Sequence, residues 1–194
     1  MTQRRIGFAL ILAGGLLTTF AGSRYVSGAA AQDKARREWN ELTARQAYDD
    51  AVASTAPNMD VVIRHAAPVA RLLIPRIGLD EIVLEGIDDE AMNGGPGHFP
   101  GSPLPGGAGN SIISAHRDRH FRNLGQVGVG DTIVTQSGAK TTKWIVVKRT
   151  VVNKDRPVLF PTETATLTLT TCWPIRYFGS APDRLILTAS PVSS

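Results

Sequence analysis

The chain has 194 residues, room for one ordinary domain and an N-terminal extension, and its 42% apolar and 20% charged residues exclude a disordered protein. A formal charge of +4 permits an acidic partner without requiring one. Nucleic acid fits poorly, because the basic residues are scattered and neither zinc-ligand spacing nor an RNA-recognition signature is present.

Arg4 and Arg5 precede Ile6–Gly22, an uncharged stretch of 17 residues. At 1.5 Å per residue it spans about 25 Å as a helix, the short end of a bilayer crossing. Ala29 and Ala31 suit a signal-peptidase site before Gln32, but that site lies well past the apolar run. An uncleaved signal-anchor over 6–26 is therefore expected, with residues 1–5 cytoplasmic and the rest of the chain on the outer face of the cell membrane. Arg24, Lys34, Arg36 and Arg37 follow the span and weaken the charge argument for that orientation.

Residues 32–52 are polar, rich in helix formers and free of Gly and Pro. Ala35, Trp39 and Leu42 form a thin apolar stripe that Gln46 and Asp49 interrupt, so a helical stalk packing weakly on the domain is expected. Ser54–Pro68 reads as a linker, which sets the stalk and linker at 27–68 and the folded domain at 69–194.

From Val69 onward the chain breaks into short β-branched runs between turn residues. The expected strands are Ala70–Ile74, Glu81–Leu84, Ser111–His116, Asp131–Gln136, Thr142–Asn153, Ala165–Cys172 and Arg184–Ala189. Asn93–Asn110 is dominated by Gly and Pro and reads as a loop. Asp88–Met92 and Arg119–Leu124 are long enough for single helical turns. Many short strands without βα alternation indicate an all-β barrel or sandwich.

Alternation along ATLTLTTC (165–172) puts Leu167 and Leu169 on one face and Thr166, Thr168, Thr170 and Cys172 on the other. With the leucines in the core, the lone cysteine emerges on the polar face, whereas a free cysteine is by default a buried small hydrophobe. In RLILTA (184–189), Leu185 and Leu187 share the core face and Arg184 stands opposite them at the strand start. If the two strands are neighbours, Cys172 and Arg184 meet across the Trp173–Asp183 loop. SIISAHRDRH (111–120) delivers His116 to the end of another strand. Taken singly, each has a plainer reading: a packed cysteine, a solvated arginine, a bystander histidine. His116 and His120 stand at i,i+4 spacing, but the charged run between them argues against a helix and no third metal ligand is evident. His65 and His98 fall in linker and loop.

Together these segments resemble the sortase family. The resemblance rests on RLLIPRIGL at 71–79, GPGHFPGSPLPGGAGNSIISAHRD at 95–118, GD at 130–131, and TLTTC at 168–172 followed by Arg184. It covers about 69–190. Trp173–Pro174 after the cysteine and HRD after the strand look most like the class D group or a Gram-negative relative of it; Ala115 stands where many members have glycine. The resemblance implies a closed eight-stranded β-barrel and a catalytic set of His116, Cys172 and Arg184, with Thr170, Thr171 and Trp173 as candidate substrate contacts. It also implies the reaction: cleavage of an LPxTx-type sorting signal after Thr through a thioester, then transfer to an amine of the cell envelope. No cofactor or metal is expected; Asn153–Thr164 offers only Asp155 and Glu163 towards the six to eight oxygens that Ca²⁺ prefers. No aspartate-proline-aromatic lid motif occurs in 53–68. Two alternatives stand beside this reading. An L,D-transpeptidase would need its histidine and a Ser/Gly-rich turn close before the cysteine, where TLTT stands; a silent anchored barrel would bind without chemistry.

Overall fold

The computed structural model describes residues 28–46, 64–156 and 160–192, with Ile11, Gly14, Gly15 and Thr18. Eight strands form a closed barrel: β1 (Pro68–Ile74), β2 (Leu79–Glu85), β3 (Gly97–His98), β4 (Asn110–Ser114), β5 (Thr132–Ser137), β6 (Lys140–Asn153), β7 (Thr166–Trp173) and β8 (Asp183–Pro191). Around the barrel the order is β1, β2, β3, β4, β7, β8, β6, β5, and β5 returns to pair with β1. Most neighbours are antiparallel; β2–β3 and β4–β7 are parallel. The closed all-β barrel with short helices is thus as expected.

Seven strands fall where alternation put them. The eighth, β3, lies inside the Gly/Pro segment expected to be a loop. Two residues carry no periodicity to read, and the strand exists because Gly97 has no side chain. A Cβ there would sit 2.1 Å from the Gly86 carbonyl oxygen, so only glycine lets the backbone close against β2. The expected turn at Asp88–Met92 is helix α2 (Asp89–Gly94), whose N-cap Asp88 accepts from the amides of Glu90 and Ala91. Over the other expected turn, Arg119–Leu124, isolated i→i+3 bonds join the Arg122 amide to the Arg119 carbonyl and the Leu124 amide to the Phe121 carbonyl, and a regular 3₁₀ turn follows at Leu124–Gln126.

Inward-facing side chains fill the barrel. Leu72, Ile74, Ile113, Leu167, Leu169, Leu185, Leu187 and Trp144 are all fully buried, and Trp144 donates its indole N–H to Thr135 Oγ1 at 2.8 Å. Each strand that carries a candidate site residue is thereby held with one face locked in the core.

Helix α1, residues 28–46, packs more firmly than its thin stripe suggests. Ala35 and Trp39 are buried in a second apolar cluster with Ile82, Leu84 and Ala91, on the outer face of β2. Because β3 pairs only with Leu84 and Glu85, the first half of β2 has a free edge, and α1 covers it with polar groups. Gln32 donates to the Ile82 and Gly94 carbonyls (2.9 and 2.8 Å) and accepts from the Ile82 amide (3.0 Å). Arg36 donates to the Asp80 carbonyl at 2.7 Å. Such capping is what an exposed sheet edge needs. Gly95 makes room for it, since a Cβ there would lie 2.4 Å from Gln32 Nε2.

Asp80 anchors this face. It accepts two hydrogen bonds from Arg71 (2.8 and 2.7 Å) and lies 3.5 Å from Arg36. Its carboxyl is held below the usual range, first by the Arg71 hydrogen bonds. A depressed carboxylate stabilises the fold above its unfolded pKa of about 3.9, and that contribution disappears as pH falls through the lower folded value. Asp80→Asn should therefore cost at most about 1 kcal/mol at neutral pH, the pair being part-exposed. The melting-temperature difference from wild type should vanish in strong acid; an equal difference at both pH values would refute the ion-pair account.

All of the 6–26 span but Ile11, Gly14, Gly15 and Thr18, and most of the 54–68 linker, lie outside the described residues. Among the described residues no helix is long and apolar enough to cross a membrane.

Candidate active site

Three neighbouring strands, β4, β7 and β8, bring the expected residues together. Cys172 and Arg184 are direct partners in the antiparallel β7–β8 register. On the other side, the parallel β4–β7 register sets Ser114 level with Thr170. The chain stays beside β7 past the end of β4: the Ala115 amide donates to the Thr170 carbonyl (3.3 Å), and Thr171 Oγ1 donates to the Ala115 carbonyl (2.7 Å). Continued by two residues, the register sets His116 level with Cys172. With strands about 4.8 Å apart, histidine and arginine flank the cysteine from both sides.

All three stand on the outer face, since Leu169, Leu185 and Ala115, which fall on the opposite face in alternation, belong to the core. Cys172 is exposed and makes no disulfide. Arg184 is part-buried, and its Nε is buried with no hydrogen-bond partner. An unsatisfied guanidinium donor beside an exposed thiol is an unpaid desolvation cost unless an acceptor arrives there. His116 is 31% exposed, and its Nε2 lies 3.7 Å from Asp89 Oδ1 on α2.

The face N-terminal to the cysteine is not open to solvent as its threonines suggest. Thr168 and Thr170 are 3% and 2% exposed, because the loops before β4 and before β7 fold over it. Thr168 donates to Asn110 Oδ1, and Asn110 Nδ2 donates to the Phe160 carbonyl. A pocket of about 300 Å³ lies among Phe99, Pro100, Ile112, Phe160 and Pro161. Thr170 Oγ1, on the same face as Cys172, is buried without a partner. Thr171 faces inward and its hydroxyl is committed to Ala115. Trp173 packs against the core edge, with the Arg149 guanidinium 5.2 Å from its ring centroid.

The remaining histidines have separate occupations. His120 Nδ1 lies 2.5 Å from Glu81 Oε2, its side chain 10% exposed, so it does not share a ligand with His116. His98 is buried between Glu85 (2.7 Å from Nδ1) and Ser102 and Pro103 (2.9 and 3.1 Å from Nε2). That set staples the Gly/Pro loop. Among the described residues no group of three or more His, Cys, Asp and Glu side chains is arranged to hold a metal ion.

Two residues near the site escaped the sequence reading. Asp89 is brought to His116 by the placement of α2, which no local pattern announces. Arg117, inside the HRD segment, donates to the carbonyls of Pro174, Tyr177 and Gly179 (3.2, 3.1 and 2.6 Å) and lies 5.8 Å from the Tyr177 ring centroid. It thereby ties the β7–β8 loop to the residue after His116.

Comparison with known proteins agrees with this architecture. The sortase domain model matches residues 72–192. A curated relative, Sortase D of Bacillus subtilis (strain 168), is 34% identical over 118 residues, 60% of this chain and 60% of its own length. The solved catalytic domain of B. anthracis SrtD is 33% identical, with a TM-score of 0.57 over 73% of this chain and 97% of that one. A Clostridium perfringens Sortase D5 transpeptidase, at 22% identity, shares the fold with a TM-score of 0.69 over 84% of this chain and 99% of that one. The sortase domain model spans residues 72–192, more than half of the chain, and establishes that the chain belongs to the sortase family.

Proposed function

We propose that this chain cleaves an LPxTx-type sorting signal after its threonine and transfers the new acyl group to an amine of the cell envelope, with Cys172 as nucleophile. The observation that carries the reading is the three-strand row: an exposed thiol in register with Arg184 and level with His116. The Cys172 thiolate attacks the threonine carbonyl, and His116 as imidazolium protonates the departing amine. A thioester results. Neutral His116 then takes a proton from the incoming amine as the C–S bond breaks. Arg184 stabilises the tetrahedral oxygen, which supplies the acceptor its buried Nε lacks.

The substrate peptide lies along the outer face of β4 and β7. Of the three candidate contacts only Thr170 shares the face of Cys172 with an unpartnered hydroxyl, and since it is 2% exposed beneath the covering loops, the peptide reaches it only where those loops part. Thr171 serves to hold the histidine segment in register, and Trp173 braces the strand end. The Ile6–Gly22 run anchors the enzyme in the cell membrane with the barrel on the outer face. No metal takes part in the chemistry.

Incubating the enzyme with a short LPxTx peptide and a primary amine tests this directly. Mass spectrometry should find a thioester on Cys172 and a transfer product joined at the threonine. Turnover in excess chelator and in millimolar calcium should agree within about fivefold, the outcome expected without a full oxygen shell. Cleavage elsewhere in the peptide, or no covalent adduct with any LPxTx sequence, would sink the proposal.

A further inference from the structure

The main chain of His116 is fixed, while its ring is left to be oriented. The His116 carbonyl accepts from the Arg119 and Phe121 amides (3.3 and 3.1 Å), and Phe121 is fully buried. The ring is 31% exposed and makes no hydrogen bond among the described residues. The torsion that turns an imidazole is broad and roughly twofold, so the backbone alone does not decide which nitrogen faces the cysteine. Among the described residues the ring has one ion-pair partner, Asp89, whose Oδ1 lies 3.7 Å from Nε2.

Asp89 stands on a mount that is braced at both ends. The six residues of α2 are too few to hold a helix in water by themselves. Ala91 is buried in the cluster of Trp39, Ile82 and Leu84, and Gly94 lies so close to β2 that a Cβ there would sit 2.9 Å from Leu84 Cδ1. At the other end Asp88 accepts from the Glu90 and Ala91 amides (3.0 and 3.1 Å) and lies 2.5 Å from His65 Nε2. Asp88 is thus occupied. The carboxylate of Asp89 is 90% exposed and has no partner but His116 among the described residues. Acids in a first turn suit any helix dipole. That accounts equally for Glu90, whereas of the two it is Asp89 that pairs with the histidine.

We propose that Asp89 is a positioning residue for His116: its carboxylate holds Nε2 and so leaves Nδ1 as the nitrogen that exchanges protons during acyl transfer. The inference rests on the transpeptidase reading above, with His116 as proton partner. In acylation the Cys172 sulfur forms the C–S bond, the C–N bond breaks with its electron pair on the departing nitrogen, and that nitrogen takes the Nδ1 proton. Asp89 touches no reacting atom. It sets the direction of the ring and steadies it while it carries positive charge, a state used up in acylation and restored when the acceptor amine gives up its proton.

The test is steady-state kinetics on one LPxTx peptide with Asp89→Asn, Asp89→Glu and, as a control in the same turn, Glu90→Gln. Asp89→Asn should lower kcat and kcat/KM together by about fivefold, the upper size for an exposed ion pair, with KM unchanged. Asp89→Glu keeps the charge and should stay within about twofold of wild type, as should Glu90→Gln. In about 1 M salt, where screening acts over roughly 3 Å, the gap between wild type and Asp89→Asn should shrink to about twofold or less. A normal kcat in Asp89→Asn, an effect confined to KM, an equal loss in Glu90→Gln, or no rescue by glutamate would overturn the proposal. If no LPxTx peptide is cleaved, the transpeptidase reading fails by itself, and NMR of Cys172→Ala decides the pairing. Adding Asp89→Asn should then move the ring signals of His116, and adding Glu90→Gln should leave them in place. Unmoved His116 signals would overturn the pairing independently of the chemistry.

Discussion

Cys172→Ala is expected to abolish both cleavage of an LPxTx peptide and transfer to an amine, a loss on the order of 10⁶-fold if the thiol is the nucleophile. The fold should not notice. Cys172 is exposed at the end of β7, so its sulfur fills no core space, and a surface change of this size costs within about 0.5 kcal/mol. A crippled enzyme with a wild-type melting curve separates chemistry from scaffold. Were the cysteine a packing residue, the melting temperature would fall and activity would decline only in proportion to unfolding. Retained cleavage by the alanine variant would end the nucleophile assignment.

The second large effect is expected at Arg184, where Lys and Ala variants discriminate among three roles. A surface arginine would tolerate lysine, and one that only grips the substrate would raise KM with kcat little altered. A donor to the developing oxyanion should lower kcat and kcat/KM together by about 100- to 1,000-fold, because its contact strengthens only as charge appears. Lysine keeps the charge but loses the planar fork. The buried Nε without a partner favours the third outcome: it is a donor still lacking an acceptor, and lysine has no atom in its place. Arg184→Ala should be at least as impaired as Arg184→Lys. Steady-state kinetics on one peptide decide, and a near-normal kcat for Arg184→Lys would remove the residue from the catalytic set.

How much of this was legible depended on which side chains carried the signal. β7 and β8 were readable because Leu167, Leu169, Leu185 and Leu187 alternate with polar residues, and that alternation alone put Cys172 and Arg184 on one face. β3 was not, because it depends on the missing side chain of Gly97 and leaves no period behind. The firm docking of α1 was hidden for a related reason. Gln32 and Arg36 do much of the holding by meeting backbone groups of β2, and polar residues on a helix read as solvated. Asp89 reaches His116 through the packing of α2 against the barrel, a tertiary juxtaposition that no local spacing encodes. The threonines of β7 read as an exposed polar face; the loops that cover them are long-range neighbours.

The grip of Arg117 on the β7–β8 loop has a consequence for motion. That loop begins two residues after the thiol and ends two before Arg184, and its free end is pinned to the residue next to His116. The β7–β8 ladder keeps Cys172 and Arg184 in register on either side of the loop, and with three carbonyls held by one guanidinium, movement of the loop is coupled to the segment that carries His116. Phe178, fully exposed between the held carbonyls of Tyr177 and Gly179, is thereby presented to solvent on a loop that Arg117 tethers to the histidine segment.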